Sequence, residues 1–296
     1  MTPFPLLAQR LFNTPIAIRP EKAEIVMGAL ADRLGIAHLA HLSGEAIKLA
    51  KPAMLDDDDG YDYSPRERRA DKGYDLVGPI AVIPVHGTLV KKLGSLRPYS
   101  GMTGYDGIRQ AFLTALGDKA VKAIMLDVDS PGGEVAGCFD LVDTIYNARG
   151  TKPIWAILNE GAYSAAYAIA SAADRIVVPR TGGVGSIGVI VMHVDMSKAL
   201  GNQGLRVTFI TYGEAKADGH SEIPLSPEAA ARIQDEVDEM GELFVDTVAR
   251  NRGLGAAKIR ATQAATYMAA AGVKLGLADA VMAPDAAFRA LVEQVA

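Results

Sequence analysis

The chain has 296 residues, 49% of them hydrophobic and only 6% aromatic, with a formal net charge of −5. Its length and a mean hydropathy of +0.14 allow a large α/β domain with an appendage and exclude an intrinsically disordered chain. The acidic balance offers no basic face of the kind a nucleic-acid binder carries, and a single cysteine, Cys138, excludes an internal disulfide framework and fits a reducing compartment.

Residues Met1 to Arg10 include Pro3 and Pro5 and no apolar core of a secretory leader. No run reaches the ~18 apolar residues a membrane span needs, so the expectation is a soluble, cytoplasmic protein without a membrane partner. Residues 1–50 read as a helical appendage. Pro20 and Glu21 open a helix whose apolar positions are Ile25, Val26, Ala29, Leu30 and Leu34, and a second short helix covers 37–49. Residues 51–77 read as a linker: the run Asp56 to Asp59 repels itself and the stretch Ser64 to Lys72 has no apolar period. A solvated connector accounts for this stretch, with a cation site as the alternative.

From Gly78 to the end, strands alternate with helices. Strands are expected at 80–85, 121–129, 154–158, 175–178, 186–194 and 205–211. Helices are expected at 104–116, 135–149, 164–173, around 197–200, and at 227–250 with Ser226 as its N-cap. Such alternation predicts an α/β fold built on a mostly parallel sheet covered by helices. Cys138 falls in one of the helices and reads as a buried apolar thiol.

Ligand and catalytic sites in parallel sheets lie beyond the carboxyl ends of the strands. Three glycine-containing turns occupy such places. Asp129-Ser130-Pro131-Gly132-Gly133 follows an apolar strand, and its glycines could expose N–H groups at the start of the next helix to an anion or oxyanion; a plain tight turn is the alternative. Asn159 to Ala166 puts Ser164 at the mouth of an alanine-rich helix, where serine is a favoured cap but where the helix dipole also favours an alkoxide. Gly182 to Gly188 precedes a strand, which is not a dinucleotide fingerprint; Ser186 within it is a turn serine or a group that orients a base.

A nucleophilic serine needs a base. None of His38, His41, His86, His193 and His220 has an aspartate partner by motif, so a Ser-His-Asp triad is not specified. Lys216 lies in the polar loop 213–219. A surface lysine is the plain reading; to act as a base it would need a dry site that depresses its pKa by several units from ~10.4.

At these residues the sequence resembles the signal peptide peptidase A family of serine–lysine proteases, and within it the phage head-maturation (capsid assembly) branch of the lambda protein C type. The matching pieces are 87–90, 98–105, 129–133, 163–165, 185–189 and the loop carrying Lys216, in order, over about Phe12 to Met282. The resemblance implies Ser164 as nucleophile, Lys216 as general base, Ser186 as a helper hydroxyl that orients the amine, and an oxyanion hole from the N–H of Gly132 or Gly133 with that of Ala165. It implies a ClpP/crotonase-like fold of stacked βαβ units, residues 78–296 as the peptidase domain, no cofactor or metal, and homo-oligomers in which serine and lysine can come from neighbouring subunits. Its implied substrates are scaffold, portal and other head proteins, cleaved in the host cytoplasm or within the procapsid. The transmembrane helix of the membrane-anchored branch and the C-terminal scaffold extension of some phage relatives are not expected here. Alternatives are a general cytoplasmic peptidase of the same family, a crotonase-like acyl-CoA enzyme working through glutamates, and a non-catalytic shell protein.

Overall fold

The computed structural model describes residues 15–19 and 71–296; the helices expected at 20–34 and 37–49 and the acidic run 56–59 lie outside them. In chain order the elements are β1 (Ile16–Ile18), β2 (Asp75–Val77), β3 (Ile80–Val90), β4 (Met102–Gly104), α1 (Tyr105–Gly117), β5 (Ala123–Glu134), α2 (Cys138–Asn147), β6 (Ile154–Tyr163), α3 (Ala165–Ser171), β7 (Arg175–Val178) and β8 (Gly183–Gly185). They continue with α4 (Ser197–Asn202), a 3-10 turn (Glu214–Ala217), α5 (Pro227–Arg252), α6 (Ala256–Arg260), β9 (Thr266–Met268), α7 (Ala269–Leu275), β10 (Ala280–Val281) and α8 (Pro284–Val295).

One sheet runs in the order β10-β7-β6-β5-β3-β2, and its central pairs are all parallel. The minor strands attach to this frame: β4 to β3, β8 to β6, β9 to β8 and β1 to β5. Central β5 carries apolar residues on both faces, as a doubly covered parallel strand must. Ile124, Leu126 and Val128 enter the main core with α1, α2, α3 and α5, while Ala123 and Met125 pack with Trp155, Ile157 and Leu291 under α8. The α/β sheet with flanking helices expected from the alternation is therefore present.

Several boundaries move. Ile16–Ile18, inside the stretch read as a helical appendage, is a strand of the sheet, and Asp75–Val77, inside the stretch read as linker, pairs antiparallel with β3. The glycine turn after residue 129 is no strand-to-helix turn: β5 runs on through Gly132 and Gly133 to Glu134, and α2 starts only at Cys138. The pair of glycines makes this possible, since a β-carbon on Gly133 would stand 1.8 Å from the Leu89 carbonyl oxygen of the neighbouring strand. Residues 186–194 form no strand beyond a bridge at Ile190, and residues 205–211 form no strand and pair with none among the described residues. An extended chain becomes a sheet strand only where a second backbone offers hydrogen bonds. The long helix α5 starts at Pro227, with the Ser226 hydroxyl accepting from the Ala229 N–H as expected of an N-cap. Cys138 is buried, and burial pushes its thiol up to about 12.

The short helix α3 is buried along its whole length and is gripped at its far end. The Arg149 guanidinium donates to the carbonyls of Ser171, Ala172 and Ala173 at 2.6–2.8 Å and to that of Asn251 at 3.1 Å. The Asn251 side chain in turn donates to the Ser171 hydroxyl at 2.9 Å. One cation thus satisfies the carbonyls that the end of a helix leaves open and ties α3 to α5. Arg149→Met should destabilise the protein by about 3 kcal/mol, because buried carbonyls lose a charged donor; urea unfolding measures it, and a loss below about 1 kcal/mol would refute the role given to Arg149.

On the α8 side, His86 of β3 shares a proton with Asp127 of β5 at 2.9 Å, and Asn159 of β6 donates to the other oxygen of Asp127 at 2.6 Å. The Asp127 hydrogen bond, aided by the charges of Asp127 and Asp129, holds the His86 pKa above its ordinary 6.5 against the opposing effect of partial burial. A raised folded-state pKa contributes stability that is fully present below about 6.5 and is lost as the pH climbs through the folded value. The melting temperature of the parent should therefore exceed that of His86→Gln by more at about pH 5.5 than at about pH 8.5; an equal gap at both would contradict it.

Candidate active site

Strand β6 delivers Ser164. Tyr163 is its last residue, and Ser164 makes the turn into α3 with φ 53° and ψ −123°, a left-handed conformation that L-residues avoid. Such a backbone costs on the order of 1–3 kcal/mol and persists only where its surroundings over-determine it. Here the Ser164 N–H donates to the Gly185 carbonyl at 2.9 Å, its carbonyl accepts from Ala168 at 2.9 Å, and the rigid alanine helix behind it is anchored by Arg149. Of the two readings open for Ser164, the cap fails: its hydroxyl accepts no hydrogen bond from α3. The hydroxyl instead lies 3.5 Å from the Gly188 carbonyl, so its proton is only weakly held. Ser164 therefore stands on a strained strand-to-helix turn with its hydroxyl free of capping duty.

Ser186 arrives by the same logic. β8 pairs parallel with β6 in a register that sets Gly185 opposite Tyr163, so Ser186 and Ser164 are the next residues on adjoining strands. Ser186 also has a left-handed backbone, φ 56°, fixed by its N–H donating to the Ala265 carbonyl at 3.0 Å, and its side chain is buried. The glycines before it permit the close approach: a β-carbon on Gly183 would lie 2.5 Å from the Tyr163 hydroxyl.

The double glycine lies on the other side of Ser164. A β-carbon on Gly132 would stand 2.9 Å from Ser164 Cβ, so the two backbones touch only because residue 132 has no side chain; its φ of 104° makes the same demand. The Gly132 N–H donates to the Ser130 hydroxyl at 3.1 Å, and that hydroxyl donates to the Gly87 carbonyl at 2.7 Å. Gly133 lies one residue further on, where the edge of β5 away from β3 is paired with β1 at Ala17. Ala165, as the first residue of α3, brings an N–H that the helix itself leaves open. Gly132 thus touches Ser164, Ala165 follows it in the chain, and Ser186 follows the residue paired with Tyr163.

Lys216 is not in that group. It sits in the exposed 3-10 turn 214–217, and its side chain makes no hydrogen bond or ion pair among the described residues. In the segment leading to it Leu205 and Val207 are exposed, Ile210 and Tyr212 are 97% and 101% exposed, and half-buried Phe209 lies against the His220 ring at 4.5 Å. The histidine–aspartate contact that motif reading missed, His86 with Asp127, could not have been found by spacing, since parallel pairing of β3 and β5 alone brings the residues together. No hydrogen bond joins His86 to Ser164. Among the described residues no group of carboxylates, histidines or thiols is arranged to hold a metal ion, and no helix is long and apolar enough to cross a membrane.

The chain is 39% identical over 268 residues to the head-tail preconnector protein GP5 of Enterobacteria phage P21, an alignment that covers 90% of this chain and 53% of that protein. It is 39% identical over 280 residues to the capsid assembly protease C of Escherichia phage lambda, covering 93% of this chain and 62% of the other. The chain therefore spans less than two thirds of the length of either phage protein. A more distant relative is the chloroplastic serine protease SPPA of Arabidopsis thaliana, 28% identical over 68% of this chain and 30% of that protein. The family model of peptidase family S49 matches residues 147–296, a stretch that holds Ser164, Ser186 and Lys216 together. The chain belongs to peptidase family S49.

Proposed function

We propose that this chain is a serine endopeptidase that processes capsid proteins during phage head maturation, in the host cytoplasm or within the procapsid. The single observation that carries the catalytic part is the backbone of Ser164: strained, uncapped, and flanked by the double glycine and by Ser186. The printed names of the two phage relatives, a capsid assembly protease and a head-tail preconnector, support the choice of substrate class.

In the proposed reaction the Ser164 hydroxyl attacks a peptide carbonyl and Lys216 accepts its proton. The N–H groups of Gly133 and Ala165 stabilise the oxyanion; Gly132, whose own N–H is engaged by Ser130, keeps the approach open. The lysine returns the proton to the leaving amine, and water activated by the same amine then releases the acyl group from Ser164. Ser186 orients the lysine.

The exposure of Lys216 supports an assembly in which the base reaches a nucleophile across a subunit boundary. The segment 205–212, which pairs with no strand among the described residues, runs directly into the lysine turn, and its exposed Leu205, Val207, Ile210 and Tyr212 suit burial against a second copy of this chain.

Ser164→Ala should abolish cleavage of co-incubated capsid and portal proteins, read by mass spectrometry, and retained cleavage would remove the nucleophile assignment. Lys216→Ala should lower kcat/KM by roughly 10³-fold with the melting temperature unchanged; activity near the parent level would rule out this base. Mixing the two inactive variants and letting them assemble should restore part of the activity if the pair is shared between subunits. Mixed assemblies of normal size that stay inactive would place serine and lysine on one chain.

A further inference from the structure

The main-chain pairing around Ser164 leaves a slot in the sheet, and the chain fills that slot with its own residues 15–19. β6 pairs with β5 as far as Ser130↔Ala162 and then turns away at Ser164, whereas β5 continues to Glu134. Beyond the nucleophile the edge of β5 therefore faces a gap, bounded on its far side by the strand-like stretch at Ile190. β1 lies in this gap, antiparallel to β5, with Ile16↔Glu134, Ala17↔Gly133 and Ile18↔Gly132 as partners. On its other edge Ile16 exchanges both hydrogen bonds with Ile190, at 3.0 Å each. The Arg19 N–H donates to the Pro131 carbonyl at 3.0 Å, and the Val135 N–H donates to that of Pro15 at 3.4 Å. These two bonds set the antiparallel alternation so that Ala17 and Gly133 form a hydrogen-bonded pair.

The register has a chemical meaning. It turns the Ala17 carbonyl towards the Gly133 N–H, a donor assigned above to the oxyanion hole. A β-carbon on Gly132 would stand 2.1 Å from that carbonyl oxygen and 2.9 Å from Ser164 Cβ, so carbonyl and nucleophile flank one point. Ala17 is 2% exposed and joins the main core, a place with room for a small side chain, while Ile16 and Ile18 form a separate apolar pair on the other face of the strand. The Arg19 guanidinium lies over the Tyr163 ring at 4.5 Å and lines a cavity of about 600 Å³, with His86, Asp129, Asn159 and Glu160, that continues from the end of the strand.

We propose that residues 15–19 are an intramolecular occupant of the peptide-substrate groove, bound as a substrate strand would be, and that they must leave before another peptide can enter. The ligand class follows from the occupant: an extended peptide that adds an antiparallel strand to Gly132–Glu134, with a small residue whose carbonyl faces Gly133, flanked by apolar residues. The inference rests on the peptidase reading of Ser164. It goes beyond that reading by giving the N-terminal segment a blocking role and by naming the register in which substrate binds.

Hydrogen–deuterium exchange on the full chain tests the occupancy directly: the amides of Ile16 and Ala17 should exchange slowly, and exchange as fast as in a free peptide would overturn the proposal. The double variant Ile16→Asp/Ile18→Asp expels the segment while leaving the main core untouched. It should bind a fluorescein-labelled peptide of residues 12–22 at least about tenfold more tightly than the parent, in which the tethered copy competes; equal binding by the two folded proteins would overturn the proposal. Should that variant fold poorly, Ala17→Lys makes the same demand at one position. Labelling of Ser164 by a fluorophosphonate is scored separately: it should be faster in the expelled variant and suppressed by the unlabelled peptide. If Ser164 stays unlabelled in every form, the peptidase reading fails; labelling with unprotected Ile16 and Ala17 amides overturns the blocking strand alone.

Discussion

The hydrogen bond from the Ser164 N–H to the Gly185 carbonyl is the constraint on which the site is built. It holds a non-glycine residue in a left-handed conformation at the point where β6 becomes α3, and it joins β6 to β8 in the register that brings Ser186 alongside. A strained residue of this kind survives only if the elements on both sides are rigid. On one side stands a central parallel strand buried on both faces; on the other, a helix of alanines, one isoleucine, one tyrosine and a terminal serine with no exposed position. The small side chains let α3 lie close to the sheet, and Arg149 closes its far end. Stability in the layers below thus maintains an unfavourable backbone at the top.

The glycines complete the arrangement for a related reason. Gly132, Gly133 and Gly183 occupy places where a β-carbon would meet backbone or side-chain atoms at 1.8–2.9 Å. They are positions at which chains must approach more closely than any side chain permits. The result is close packing of main chain around Ser164 with little side-chain bulk, which under the proposed function suits the entry of an extended peptide.

Much of this was legible in the sequence. Central strands showed as unbroken apolar runs, because a parallel strand covered on both faces needs no alternation. Helix α5 showed through its period and its Ser226 cap, and the position of Ser164 at a strand-to-helix turn followed from the order of apolar run, glycine and alanines. What could not be read were features set by long-range pairing. Nothing local in Asp129 to Gly133 says that the strand continues through them; only pairing with Leu89 on one side and Ala17 on the other makes those glycines a strand. The same holds for Ile16–Ile18, whose three residues are too few for a period and whose partner lies more than a hundred positions away. Residues 205–211 show the converse: their strand-like composition is genuine, but no described part of the chain offers them a backbone to pair with.

That last mismatch bears on the base. An ammonium in water is strongly protonated near neutrality and takes no proton from a hydroxyl; it becomes a base only where water is excluded. Among the described residues, one chain brings Ser164, Ser186 and Gly132 together, yet leaves Lys216 on an exposed turn after a segment whose Ile210 and Tyr212 none of them covers. The two deficits have one remedy. A second copy that covers residues 205–212 would by the same contact exclude water from the turn that carries Lys216. Under the proposed assembly, then, the catalytic amine and the subunit contact form together. A base created by association would stay quiet while chains are dilute and become competent where they are crowded.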